Sequence, residues 1–209
     1  MLLKRNSKLI IFFSVFLAII TAFTYFVPFF KKSFDISNDV LRLHIIANSD
    51  LSVDQNVKLK VRDAVLTAMS DKFSNSKSLD DTLNIANKNK EYIKTVADNE
   101  LEKYGAEYDA NVEVKKEYFN TRSYNDVTLP AGCYNSVVIT LGNGVGKNWW
   151  CVMYPAICLP QVSDTELDKV LDDDEMSVIS NSKYDVRFKI VEVYEKVKSF
   201  FENKTMRMK

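Results

Sequence analysis

The 209-residue chain has one histidine, three cysteines and no excess of either charge, with 28 basic against 28 acidic residues. Each shortage closes off a class of function. A lone His44 cannot build a two-histidine metal site, and its strand neighbours Val40 and Arg42 are not ligands. A triad of His44 with Ser49 and Asp50 lacks an oxyanion hole and a nucleophile elbow. Three cysteines make no disulfide framework, and Cys151 has no histidine or second cysteine at zinc spacing. Zero formal charge supplies no global field to draw in nucleic acid or an anionic surface. No Asp-Thr-Gly or Asp-Ser-Gly element marks an aspartic protease. No catalytic residue, metal or cofactor is therefore expected.

Glycine is also scarce, and three of the five lie in Gly142-Asn143-Gly144-Val145-Gly146-Lys147. The loop fails as a phosphate cradle. Its outer glycines enclose three residues instead of four, and Asn148 follows Lys147 where a hydroxyl is needed. Lys147 also stands where a dinucleotide fingerprint needs its third glycine. The segment reads instead as a hairpin loop between strands 134–141 and 148–154, or as a partner contact.

What the sequence does contain begins at residues 9–30, a run without charge. As a helix its 22 residues span roughly 33 Å, enough for a hydrocarbon core of about 30 Å. Lys4, Arg5 and Lys8 before it favour a cytoplasmic N-terminus, and Lys31 and Lys32 close it. The best cleavage site, Ala22-Phe23-Thr24, matches the small-residue rule poorly. Retained anchor and cleaved signal both stand, and either places the rest of the chain beyond the membrane.

That remainder is expected to be one domain. Residues 39–47 read as a strand with Leu41, Leu43 and Ile45 on one face and Arg42 and His44 on the other. Asn48-Ser49-Asp50 reads as a turn. Ser52 and Gln55 have capping-box spacing, so a helix should begin just after Ser52 and run to about residue 73. A second long helix is expected from the Ser78 cap to Tyr104, with Gly105 as its stop and Leu83, Ala86, Ile93, Ala97, Leu101 and Tyr104 inward. Residues 107–119 alternate as an antiparallel strand with one wet face, which includes Glu113 and Glu117. Residues 120–132 read as a polar loop, and Pro155 and Pro160 end the sheet.

The acidic stretch 163–183 reads as a loose linker with a short helix around 164–171. Residues 184–203 start strand-like at 184–188 and continue as a helix packing on the domain, with a basic tail at 204–209. The divisions are thus 1–32, 33–162, 163–183, 184–203 and 204–209. The fold class is α+β: a mainly antiparallel sheet of about four strands, two long helices, a C-terminal helix and the N-terminal hydrophobic helix. Trp149-Trp150 should point to opposite sides of the sheet, one ring in the core and the other a candidate partner anchor. Cys151 and Cys158 flank Met153-Tyr154-Pro155, which reads as a turn; a disulfide there and two buried thiols both remain open, with Cys133 the odd one.

Four strings carry a resemblance: Leu41 through Asp50, Gln55 through Asp63, Pro130-Ala131-Gly132 running on to Lys147-Asn148-Trp149-Trp150-Cys151-Val152, and Val186 through Glu192. With these the chain resembles the stage II sporulation protein R family of endospore-forming bacteria. The resemblance implies an activating ligand and not an enzyme. Such a protein is exported into the space between forespore and mother-cell membranes. There it activates a membrane-embedded aspartic protease that cleaves the sigma-E precursor. It implies neither a small-molecule substrate nor nucleic acid. On this reading Arg42, His44, Asn48, Asp50, Arg62 and Trp149 are the candidate partner-binding residues. The resemblance also makes Cys133 the least suited to a Cys151–Cys158 type of bridge. Competing classes are a secreted cell-wall hydrolase and a purely structural sporulation protein.

Overall fold

A computed structural model of the protein describes residues 2–124, 127–155, 170–180 and 186–206. Helix α1 (Leu2–Asp39) contains the apolar run but does not stop with it. It passes through Pro28 and the Lys31-Lys32 pair and ends directly ahead of strand β1 (Leu41–Ile46). The reason lies in a second pattern superimposed on the run. Phe29, Ser33, Ile36 and Ser37 recur at helical spacing and are buried, whereas Leu9 through Phe23 expose their large apolar side chains. One helix therefore serves two surroundings, with residue 32 inside it.

The α+β class holds. Helices α2 (Ser52–Ser74), α3 (Leu79–Lys88) and α4 (Lys90–Lys103) follow β1, then strands β2 (Ala110–Phe119), β3 (Arg122–Tyr124), β4 (Val127–Leu129), β5 (Gly132–Leu141) and β6 (Asn148–Tyr154). Helices α5 (Asp173–Ile179) and α6 (Val186–Met206) complete the described chain. The main sheet runs β2-β5-β1-β6, with β1 parallel to β5 and the other neighbours antiparallel.

This order corrects the hairpin reading of residues 142–147, because β1 lies between β5 and β6. Strand β1 is buried on both faces from Leu41 to Ile45, so it gains most as a central strand. The charged β2 takes an edge, where unpaired backbone can meet water. The glycine loop must then pass over the end of β1, and it hydrogen-bonds there: Gly146 N to Ala47 O at 2.9 Å and Val145 N to Asn48 O at 3.3 Å.

Each face of the sheet supports its own core. Leu41, Leu43, Ile45, Val137 and Ile139 pack under α2, α3 and α4. On the other face Phe119, Tyr134 and Val152 pack with Phe29 and Ile36 of α1, Leu171, Ile179 of α5, and Phe188 and Val191 of α6. Strand β2 is therefore wet only over part of its second face, since Phe119 is buried and Glu117 is half-covered.

Other expectations shift locally. The long helix over 78–104 is two helices. Asn89 closes α3 by donating its Nδ2 to Ile85 O at 2.7 Å, and its own carbonyl starts α4 by accepting from Ile93 N at 2.8 Å. Ser78 does cap α3, accepting from Asp81 N at 3.2 Å, and Gly105 stops α4 at φ +70°. Tyr104, expected inward, lies past the last turn and is exposed. The supposed polar loop 120–132 contains the two-stranded β3–β4 ladder.

Within the acidic stretch, α5 is an ordered helix with a reciprocal Asp172–Glu175 capping box. Leu171, Val178 and Ile179 bury themselves in the second core, so this part is not a loose linker. The helix expected at 164–171 falls almost wholly outside the described residues. So do Tyr184 and Asp185, while Val186-Arg187-Phe188 is helical and not strand-like.

Candidate functional site

Arg42 and His44 alternate onto the second face of β1 and are both buried. The Arg42 guanidinium lies over Phe119 at 4.1 Å, Tyr134 at 4.9 Å and Tyr124 at 5.6 Å from the ring centroids. Its Nη2 donates to the Tyr124 hydroxyl, whereas Nε and Nη1 have no hydrogen-bond partner among the described residues. His44 stacks on Trp150 with centroids 3.7 Å apart. Its Nδ1 is 2.9 Å from Glu117 Oε1 and its Nε2 is 2.9 Å from Asn148 Oδ1. Neither Arg42 nor His44 presents its side chain to an incoming partner. Register explains the arrangement: Arg42 pairs with Ser136 and His44 with Trp150, which puts the cation and the imidazole among aromatic rings from four strands.

At the opposite end of β1 the chain ties a polar knot. The Asp54 carboxylate is buried and accepts from Asn48 Nδ2 at 2.9 Å, Ser49 Oγ at 2.5 Å and the Tyr108 hydroxyl at 2.6 Å. The hydroxyls of Ser49 and Tyr108 hold its pKa below the ordinary carboxylate value, against the opposing effect of burial. Burial, and then the bond to Asp54, pushes the Tyr108 phenol upward. These bonds also explain why the expected Ser52 capping box is absent. Leu51 is the N-cap, without a side-chain cap bond, and Gln55 Nε2 donates instead to Ser49 O at 2.8 Å.

The glycine loop completes the knot. Asn48 Oδ1 accepts from Asn143 N at 2.9 Å, and Asp50 Oδ1 accepts from Lys147 N at 2.7 Å. Two glycines are needed for the fit. A Cβ on Gly146 would stand 2.2 Å from Ser49 O, and one on Gly142, whose φ is +53°, would stand 2.4 Å from Asn48 Oδ1. Lys58 donates to Gln55 Oε1 at 2.7 Å and to Lys147 O at 2.8 Å. Burial lowers its pKa, with Lys147 and Arg62 adding to the effect and Asp50 opposing it. Arg62 stands over Trp149 at 5.0 Å and pairs with Asp63.

The six candidate residues thus separate into two places. Asn48, Asp50, Arg62 and Trp149 meet at the knot, where Asp50 is exposed and the other three are half-buried. Arg42 and His44 belong to the aromatic face. Trp149 and Trp150 do point to opposite sides, in the first and second clusters respectively. Sequence reasoning missed Asp54, Tyr108, Lys58, Glu117 and Asn148. Asp54 was visible only as a helix-cap position, and Glu117 only as one more acid on a wet face. Cys151 is disulfide-bonded and Cys133 is exposed and outside any disulfide. Cys158 lies outside the described residues.

The knot, the strand between its loops and the paired tryptophans coincide with the matched region of a known family. The model of stage II sporulation protein R matches residues 37–164. A protein of that name from Bacillus subtilis (strain 168) is 37% identical over 142 residues, which cover 68% of this chain and 63% of the relative. The match therefore spans less than two thirds of that relative's length. No solved structure matches. The chain belongs to the stage II sporulation protein R family, which implies a role in sporulation.

Proposed function

We propose that the chain is an activating ligand that acts beyond the membrane crossed or engaged by α1, and that its target is the membrane-embedded aspartic protease which processes the sigma-E precursor. The observation that carries this reading is the knot surface. Trp149 and Arg62 stand together at its rim, beside Lys147 and the exposed Asp50, on a frame fixed by the buried Asp54. Tryptophan and arginine are the side chains that most often dominate binding energy at an interface. A surface held rigid before contact loses little entropy on docking. Activation then needs only that the surface bind the active state of the protease more tightly than the inactive state. Helix α1 is long and apolar enough to cross a membrane, which suits a ligand that meets a membrane-embedded target.

The test is reconstitution in a non-sporulating host, with the protease, a tagged sigma-E precursor and this chain co-expressed. Cleavage should require the chain. Trp149→Ala and Arg62→Ala should each lower cleavage about tenfold or more at unchanged protein level, as for hot-spot residues. Cleavage that proceeds without the chain sinks the proposal. Unchanged cleavage with both variants moves the contact away from the knot.

A further inference from the structure

The second core leaves an open groove of about 540 Å³ between α1 and α6, floored by residues 131–133. Its position along α1 is informative. Val27 and Phe30 form part of its wall, and both belong to the uncharged run 9–30. The helix is continuous from that run into the groove. With the largely exposed part of the run, residues 9–27, in hydrocarbon, the mouth of the groove opens where acyl chains give way to headgroups.

The remaining walls suit that level. Tyr194 lines the groove and is half exposed, as are Val193 and Val197 on the same helix. Phe34 is 57% exposed at the groove wall. In water such a contiguous apolar surface is unfavourable and marks a contact site. At the membrane interface, aromatic rings and lysine stems are well accommodated. Lys31 and Lys198 supply two ammonium groups, against the single carboxylate of Glu195, whose Oε2 is 3.8 Å from Lys198 Nζ. The excess is positive although the whole chain is neutral.

We propose that this groove holds an anionic phospholipid of the bilayer crossed by α1. An acyl chain lies against Phe30, Val191 and Tyr194, the headgroup phosphate meets Lys31 and Lys198, and α6 rests on the membrane surface. The domain is then held in a fixed orientation, which a tether alone does not provide. The site is independent of the knot and of the identity of any protein partner.

The test uses the full chain in nanodiscs of phosphatidylcholine, with and without phosphatidylglycerol carrying a photoactivatable acyl chain. Because α1 touches lipid in any case, the diagnostic label is the one on residues 191–198, with loop 142–147 as the internal reference. Strong labelling of 191–198 and none of 142–147 is expected. Lys31→Gln and Lys198→Gln should each reduce it about fivefold, the usual weight of one lysine at an anionic surface. Labelling of 191–198 no stronger than that of 142–147 overturns the proposal. So does labelling unaffected by both lysine changes. If the groove is shielded from a water-soluble thiol reagent at Cys133 only when the protease is co-reconstituted, its occupant is a protein and the lipid assignment falls.

Discussion

Asp54 under the knot and Arg42 under the second face of the sheet are both charged side chains withdrawn from water, yet their surroundings differ in kind. Asp54 receives three directed hydrogen bonds, from Asn48, Ser49 and Tyr108. Arg42 is enclosed by three aromatic rings and bonded through one nitrogen to Tyr124, with Nε and Nη1 left without partners among the described residues. Directed bonds fix positions, whereas ring faces attract a cation over a broad range of angles. The first arrangement suits a place where two loops must meet in one geometry. The second suits a core that must fill space beneath a helix.

That contrast predicts its largest effect at Asp54. Asp54→Ala leaves three half-buried donors without their acceptor and should cost about 3 kcal/mol, read as a lower denaturant midpoint. The pH dependence follows from the sign of the shift. A carboxyl whose folded pKa is depressed stabilises the fold above its unfolded value of about 4, and this is lost as pH falls through the folded value. Tyr108 acts at the other limit: its raised pKa gives stability that is complete below about pH 10 and declines above it. Asp54→Ala should flatten the acid limb of the stability profile, and Tyr108→Phe the alkaline limb. An acid limb of unchanged steepness in the alanine variant would assign it to other carboxylates.

Gly146 tests the same knot from its backbone. A methyl group there meets the Ser49 carbonyl, which is main chain and cannot swing aside as a side-chain end can. Gly146→Ala should cost about 2 kcal/mol, as overpacking of a close contact does. If the knot is the contact surface proposed above, the same change should also lower the chain-dependent cleavage in the reconstitution, in step with displacement of Trp149. Stability and cleavage both at wild-type level would show that the loops separate freely.

Local pattern made much of this legible. Alternation located β2, helical spacing located α2, and Ser78 and Gly105 marked helix ends that the structure retains. Strand order was not legible, because loop length and glycine content describe only the connection between β5 and β6. They carry no information about β1, which is buried on both faces and displaces that pairing. The second core was hidden for a related reason. Its residues come from a helix read as membrane segment and from a stretch read as acidic linker, so burial there depends on pieces far apart in sequence. The site divides in the same way. The Asn48–Asp54 contacts span six residues and left a trace as capping-like spacing, whereas His44 meets Glu117 and Asn148 across 73 and 104 residues. No short-range signal could place them together.

The smallest effect is expected from the change that looks most drastic. Arg42→Met removes a buried charge, yet it retains a long apolar side chain among Phe119, Tyr124 and Tyr134. Burying a guanidinium without a carboxylate is costly, and ring attraction recovers only part of that cost. Methionine gives up the cation–π contacts and the bond to Tyr124, but it also removes the desolvation penalty and the two nitrogens that have no partner among the described residues. The terms oppose each other, so the net change should lie within about 1 kcal/mol. Arg42→Ala, which empties the same volume, should cost about 3 kcal/mol. The pair separates filling from charge. If methionine proves as damaging as alanine, Arg42 is held by a directed ionic partner and the difference from Asp54 disappears.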